Sequence, residues 1–464
     1  MKFTKYILPT LALGLATVLI TPGSASSWSL LGFNLNVFHR TARLFDNFTM
    51  ASANNNTTPD PQFPGKVGAE LALWKSVVEW GSEPHGNGSG DPTQPVLGSG
   101  GCNFDALFAG NATSEGVIGH QVMSMLAGCS GGVFAFMQGD ANGWWIRFYQ
   151  CWGWADGPGG VGGGEADMQG IGCHEFGHAL GLGHSNDPSA TMYGSAGLGD
   201  VSLRSIEADD IAGLTANYTV KAVNKPKITS VSGFGGNTVT ITGVNFPNTG
   251  NEIWFCRAAS TPSGTISALL VNNISSTGGG TQIQVNPPAG YGPGDVMVRN
   301  QVQISGSGLS NAMPWDPNAC PGTVTYCTAK SGLVCGIPAI SAFGTPSASS
   351  SSGYFITAGP ARSNRTGLMI YTNSGRNNAA FQGGTLCVGT TPLRRTVTVD
   401  SGGFSTCDGE FVIEMNAFSH GVHGGNPASF LTTVGTKVNA QWWGRDTQAT
   451  GSFLSDAVEY YVCP

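Results

Sequence analysis

At 464 residues the chain is long enough for roughly two to four domains, each with its own core. Charged residues make up only 11% and glycines number 70, which argues against long charged surface helices and for Gly-rich β structure and turns. The net charge of −7 leaves no basic footprint, so no nucleic-acid partner is expected.

Residues 1–25 read as an export signal: Lys2 and Lys5, an apolar run over 7–20, then Pro22, Gly23 and Ala25 as a small-residue cleavage region. No later run has the apolar length of a membrane span, so a secreted or surface-associated product is expected. All eleven cysteines lie beyond the signal, which suits an oxidising compartment and a disulfide framework. Their odd number leaves at least one thiol unpaired or bonded to another chain. Cys256 is the candidate, alone between the four before residue 220 and the six from Cys320 onward.

After the signal, 38–49 has strand character and 51–64 is a polar loop. Residues 69–80, AELALWKSVVEW, carry a helical apolar stripe in which Trp74 and Trp80 are core. A Gly- and Pro-rich loop covers 86–101; Asp91 within it is a turn residue first and a calcium ligand second. Residues 117–126 predict a strand containing a structural His120. Two β-type runs, 133–138 and 144–150, flank the hairpin loop Gly139, Asp140, Ala141, Asn142, Gly143. A hairpin centred on Asp140 sets Cys129 opposite Cys151 and predicts a disulfide between them. Cys102 and Cys173 are then left as a pair, unless Cys173 is a packed thiol. Asp167 is a plausible N-cap for the next helix, and calcium is a second reading for it and for Glu165.

Residues 172–194, GCHEFGHALGLGHSNDPSATMYG, carry the chemistry. His174 and His178 lie one turn apart on one helix face, so both imidazoles can reach a single metal ion. Glu175 projects beside them, where a carboxylate can meet a water without being a ligand. A helix continued to His184 would carry it about 15 Å along the axis and roughly 80° off that face. Gly181, able to adopt positive φ, can stop the helix and swing His184 back as third ligand.

The pattern HExxHxxGxxH resembles the metzincin clan of zinc endopeptidases, and HEFGHALGLGHS is most similar to its matrixin family. Met192 sits at the place of that clan's Met-turn, with Tyr193 next; Gly194 stands where matrixins commonly have proline. The resemblance covers about 36–220 and ends in 205–218, SIEADDIAGLTANY, a capped amphipathic helix similar to the closing helix of matrixins. It implies one catalytic zinc held by His174, His178 and His184, Glu175 as general base, and Met192 as an apolar floor beneath the metal. It also implies that Val133, Phe134, Ala135 and Phe136 lie on an antiparallel edge strand that binds an extended protein or peptide substrate. Where matrixins place a structural-zinc histidine this chain reads IRFYQ at 146–150, so that zinc is not expected. The cysteine-switch motif PRCGxPD is missing, so latency through a propeptide thiol is not expected either.

Lys225, Pro226 and Lys227 mark a linker. The period-two alternation over 225–305 predicts a β-sandwich and resembles the IPT/TIG immunoglobulin-like domain, a spacer or binding module. From 311 to 464 the sequence is Cys-rich and turn-rich with β-type runs, an all-β domain stapled by disulfides. Cys387 and Cys407 flank a hairpin there and are candidates to pair. His420 and His423 lack a third ligand and read as loop; Trp442 and Trp443 are core by default, with a sugar or surface contact as the second reading.

The expected architecture is therefore multidomain: a signal at 1–25, an α+β metzincin-like catalytic domain at 26–220 with a mixed sheet and active-site helix, then two all-β domains. The expected function is that of a secreted zinc endopeptidase, with calcium as a second ion to consider. The alternative is a surface adhesin with a vestigial or structural metal site. Glu175 speaks against it, because a structural zinc takes four protein ligands and needs no base.

Overall fold

The computed structural model describes residues 26–234, 238–262, 266–302, 308–446 and 451–464; the expected export signal lies outside the described residues. The chain forms two compact units, the first running to Pro317 and the second from Asn318 to Pro464, to which Phe234 also belongs.

The first unit is built on a six-stranded sheet. Its strands are β1 (Thr41–Leu44), β2 (Leu107–Ala112), β3 (Val122–Leu126), β4 (Ala135–Asp140), β5 (Gly143–Tyr149) and the short β6 (Ala259–Ser260), in the order β6-β2-β1-β3-β5-β4. All neighbours are parallel except β4, which runs antiparallel to β5 at the edge. All four residues of β1 are buried, as befits a central parallel strand covered on both faces. It is shorter than the expected 38–49, since Val37–His39 form a 3-10 turn. β3 begins at Val122, so His120 precedes the strand.

The helix α1 (Gly68–Val78) is buried on nearly every side, with Trp74 and Trp80 fully enclosed. Against it packs α2 (Met168–Ala179): Gly172 sits close against Leu73 and Ser76, and Trp80 Nε1 donates to the Cys173 carbonyl at 3.1 Å. α3 (Ala208–Tyr218) closes the region.

The hairpin register differs from the expected one. Asp140 faces Gly143 and Ala135 faces Phe148, so the turn is the two-residue Ala141-Asn142 and its centre lies beyond Asp140. Cys129 and Cys151 are nevertheless joined, with Cα atoms 5.6 Å apart, because both lie past the strand ends where register does not bind them. Cys102 and Cys173 do not pair. Cys173 is enclosed within α2 and Cys102 lies against Val220 after α3, so both are buried free thiols, as is Cys256.

The segment expected as a linker is not a hinge. Lys225 is buried and ion-paired with buried Asp105, while Lys221 and Lys227 converge on Glu83. Beyond Lys225 the chain forms two four-stranded sheets around Ile228, Ile241, Phe255, Val296 and Trp315. Met313–Trp315 pairs with β7 (Tyr291–Asn300), so the second sheet extends past residue 305. This module is continuous with the front of the chain. β6 extends the first sheet, and Leu107 and Ala109 share a core with Trp254, Met297 and Leu309. Asp295 of β7, fully buried, accepts from Trp74 Nε1 and pairs with His85 Nε2, both at 2.7 Å.

The second unit is all-β. Its larger sheet centres on Lys437–Asp446 and Gly451–Tyr461, and a three-stranded sheet comprises Ala339–Gly344, Tyr354–Ala361 and Gly409–Glu414. Trp442 is core, stacked on Phe411 at 5.6 Å. Three disulfides bind this unit: Cys320 to Cys463, Cys327 to Cys387, and Cys335 to Cys407. The expected pairing of Cys387 with Cys407 does not occur. Cys387 lies in Gly384–Val388, whose hairpin partner is Arg376–Phe381, while Cys407 lies in the loop before Gly409–Glu414.

Candidate active site

α2 starts where Asp167 accepts a hydrogen bond from Gly170 N at 2.8 Å. Arg204 forks onto the same carboxylate, Nε at 2.9 Å and Nη2 at 2.6 Å, both residues buried. Burial pushes this carboxyl's pKa up while Arg204 draws it back. The start of the helix is thus anchored by a charge-assisted pair. It ends at Gly181, whose φ of +87° turns the chain; a Cβ there would lie 2.1 Å from the Phe33 carbonyl.

The turn brings His174, His178 and His184 together, with their ligand atoms within 4.8 Å of one another. Among the described residues this is the one cluster of three or more potential metal ligands so placed. His174 Nδ1 meets the Thr191 carbonyl at 2.7 Å and His178 Nδ1 meets the Leu182 carbonyl at 2.8 Å. A carbonyl only accepts, so Nδ1 carries the proton in both rings and Nε2 is left as the ligand atom. Burial lowers the pKa of all three imidazoles, that of His174 to about 3, which keeps them neutral as metal ligation requires. The loop carrying His184 is braced by the segment just after the expected signal. Leu31 N donates to Gly181 O and Gly183 N to Ser29 O, and Ser29 Oγ donates to the His184 carbonyl, each at 2.8 Å.

The Met-turn comes up beneath α2 because Gly177 leaves room for it. A Cβ at that position would be 2.3 Å from Met192 Sδ and 2.7 Å from the Trp80 ring. Asp210 of α3 holds the turn from the other side, accepting from Thr191 N at 2.8 Å and Met192 N at 2.9 Å. Since Thr191 also supplies the carbonyl that orients His174, this carboxylate acts on the ligand set through one residue. Tyr193 comes next, half-buried, and Gly194 lies against the His184 ring, where a Cβ would be 3.0 Å from Nδ1.

Glu175 is buried beside the cluster, with its carboxyl accepting from the backbone N–H of Met137 on β4. Burial pushes its pKa up to about 8. The site and the free edge of the sheet therefore meet at this residue. Of the four expected substrate-strand residues, Ala135 and Phe136 lie on β4, whereas Val133 and Phe134 precede it. Phe134 turns inward onto Trp152 at 4.8 Å and its carbonyl accepts from Tyr149 N at 2.9 Å, so it faces the hairpin and the core and not an added peptide.

Several further positions are settled by their partners. Asp91 caps the turn at Thr93 and Gln94 and pairs with Lys75 at 3.2 Å. Arg147, in the strand where the structural-zinc histidine is absent, donates to Ser124 Oγ and, at 2.7 Å, to the Glu115 carbonyl. Asp210, Arg204 and Glu79 were not singled out in the sequence. Glu79 sits after α1, accepts from Gln94 Nε2 at 2.8 Å and from Gly98 and Ile206 N at 3.2 Å, and burial pushes it up to about 8.

Residues 114–219 match the family model described as Matrixin. Human matrilysin is 43% identical over 54 residues, which are 12% of this chain and 20% of that protein. Rabbit (Oryctolagus cuniculus) macrophage metalloelastase and human neutrophil collagenase are each 48% identical over 48 residues, 10% of this chain and 10% of either relative. The chain thus spans a fifth or less of the length of these relatives. Together the matched region and the three-histidine cluster show that the first unit carries a matrixin-like domain.

Proposed function

We propose that the protein is a secreted zinc endopeptidase that cleaves extended peptide segments. The observation that carries this reading is the meeting, within one buried site, of three metal-ready imidazoles, a non-ligating carboxyl and an open sheet edge. His174, His178 and His184 would hold the zinc, whose Lewis acidity would activate a water and polarise the scissile carbonyl. Three protein ligands, not four, leave a coordination position for chemistry.

Glu175 takes the proton of the attacking water and returns it to the leaving amine. Its raised pKa suits both halves of that exchange, and a cation beside it would bring the carboxylate form within reach at neutral pH. The substrate lies along β4, whose outer backbone groups accept an added strand and tolerate many sequences. Met192 and Asp210 take no proton; they fix the floor and orient His174. Export is supported by the signal-like N-terminus and by four disulfides. We place the module at 225–317 with IPT/TIG-like folds, on its two four-stranded sheets.

Cleavage-site profiling of a peptide library with and without chelator, alongside zinc stoichiometry, tests the reading. One zinc per chain and chelator-sensitive internal cleavage are expected. Activity that survives complete zinc removal would refute it.

A further inference from the structure

Outside the zinc site, the second unit holds a cleft of about 810 Å³, walled by Leu393, Arg394, Arg395, Val397, Thr398 and Asn426 among others. Arg394–Arg395 pair with Tyr371 and Ile370 of Thr366–Thr372 and form the last strand of the larger sheet, so among the described residues their other side is an open edge. An open edge presents alternate backbone N–H and C=O groups outward, ready for one more strand.

The charges around the cleft are one-sided. Both arginines are exposed, no carboxylate lines the cleft, and neither guanidinium has an ion pair among the described residues. Elsewhere in this unit Arg376 and Lys437 share Glu459 and Arg362 lies near Asp446, while Arg365 and Arg445 also have no ion pair among the described residues; what sets Arg394 and Arg395 apart is that they adjoin and line one cleft. Among the described residues no aromatic ring lines the cleft to stack on a sugar, whereas Leu393 and Val397 offer apolar contact between the charges.

We propose that this cleft docks an extended acidic peptide segment, which adds a strand along Arg394–Arg395 and sets two neighbouring carboxylates, one on each face of the strand, against the two guanidiniums. Arginine suits the task because its planar fork meets a carboxylate through two parallel hydrogen bonds. The inference goes beyond the protease reading and does not depend on it, since it concerns binding by the second unit alone.

The test uses the full mature chain carrying Glu175→Ala, titrated by fluorescence anisotropy with two labelled peptides of about ten residues, one of Glu pairs separated by Val, which carries carboxylates on both faces, and one of Lys pairs separated by Val. The Glu peptide should bind, more weakly as salt rises, and the Lys peptide should not. N-methylation of one alternate set of its residues should abolish binding while methylation of the other set is tolerated, as strand addition requires. Arg394→Ala with Arg395→Ala should weaken binding roughly tenfold or more, with melting temperature and zinc content unchanged. Equal binding of both peptides would overturn the proposal without recourse to any variant. So would undiminished binding by the double variant, or a sulfated oligosaccharide occupying the cleft while the Glu peptide does not. Aggregation of the double variant with no peptide affinity in the parent would show that the arginines serve only to keep a sheet edge soluble.

Discussion

The two units are stabilised by different means. The first, which contains the three-histidine cluster, has one disulfide and three buried free thiols, and relies on a large apolar core crossed by buried charge clamps. The second has three disulfides, two of them fastening long loops, around a smaller core. A unit that buries Trp74, Trp80, Trp144 and Trp154 gains its stability from packing, whereas glycine- and serine-rich loops need crosslinks to limit the unfolded ensemble. The free thiols fit this contrast. Burial pushes Cys102 and Cys256 up to about 12, and Cys173 also rises, so all three are inert packing groups.

The largest expected effect lies in the second unit. Replacing Cys320 and Cys463 by Ser opens a crosslink across 143 residues, which chain entropy values at about 5 kcal/mol. Calorimetry should show that unit's transition fall steeply while zinc content holds; loss of zinc in parallel would break the comparison.

Next comes the clamp between the first sheet and the module behind it. Asp295→Ala removes the partner of both Trp74 Nε1 and His85 Nε2 in a buried core, at a cost of about 3 kcal/mol. Denaturant unfolding should show the zinc region and the module losing stability together. Separate transitions would mean that residues 225–317 are a spacer after all.

A smaller effect belongs to Asp210→Ala, which leaves Thr191 N and Met192 N without their acceptor and lets the His174 carbonyl partner drift. Zinc affinity, measured by competition with a chelating dye, should fall about tenfold with little change in melting.

The smallest concerns Asp408, which is exposed. A hydrogen bond from Ser363, then those from Phe404 and Ser405 N, hold its pKa down at about 2. A folded-state pKa below the unfolded one contributes stability that is present above about 3.8 and lost as pH falls through about 2. Acid titration should therefore loosen the loop beside the Cys335 to Cys407 bridge, as read by amide exchange at Phe404 and Ser405. Asp408→Asn should remove that acid-dependent step.

What was legible in the sequence was local. His174 and His178 share a face because four residues make about one turn, Gly181 turns because only glycine is comfortable at its φ, and Asp167 caps because it precedes the helix. The edge position of β4 was legible only through the family resemblance, and the hairpin register not at all, since a tighter turn moved it. Contacts between distant segments left no pattern to read. Asp295 lies 221 residues from Trp74, β6 joins a sheet begun more than two hundred residues earlier, and the partners of Cys387 and Cys407 depend on which loops meet. Asp210 had a visible role as part of an acidic helix start, which concealed its second role beneath the Met-turn.

In the proposed reaction a buried carboxyl beside a three-histidine metal site drives peptide hydrolysis. Glu175→Ala, loaded with zinc and assayed on a quenched peptide, tests it most directly. One zinc per chain, an unchanged fold and a loss of turnover of at least about a hundredfold are expected. Undiminished cleavage by the zinc-loaded variant would remove Glu175 from the role of base.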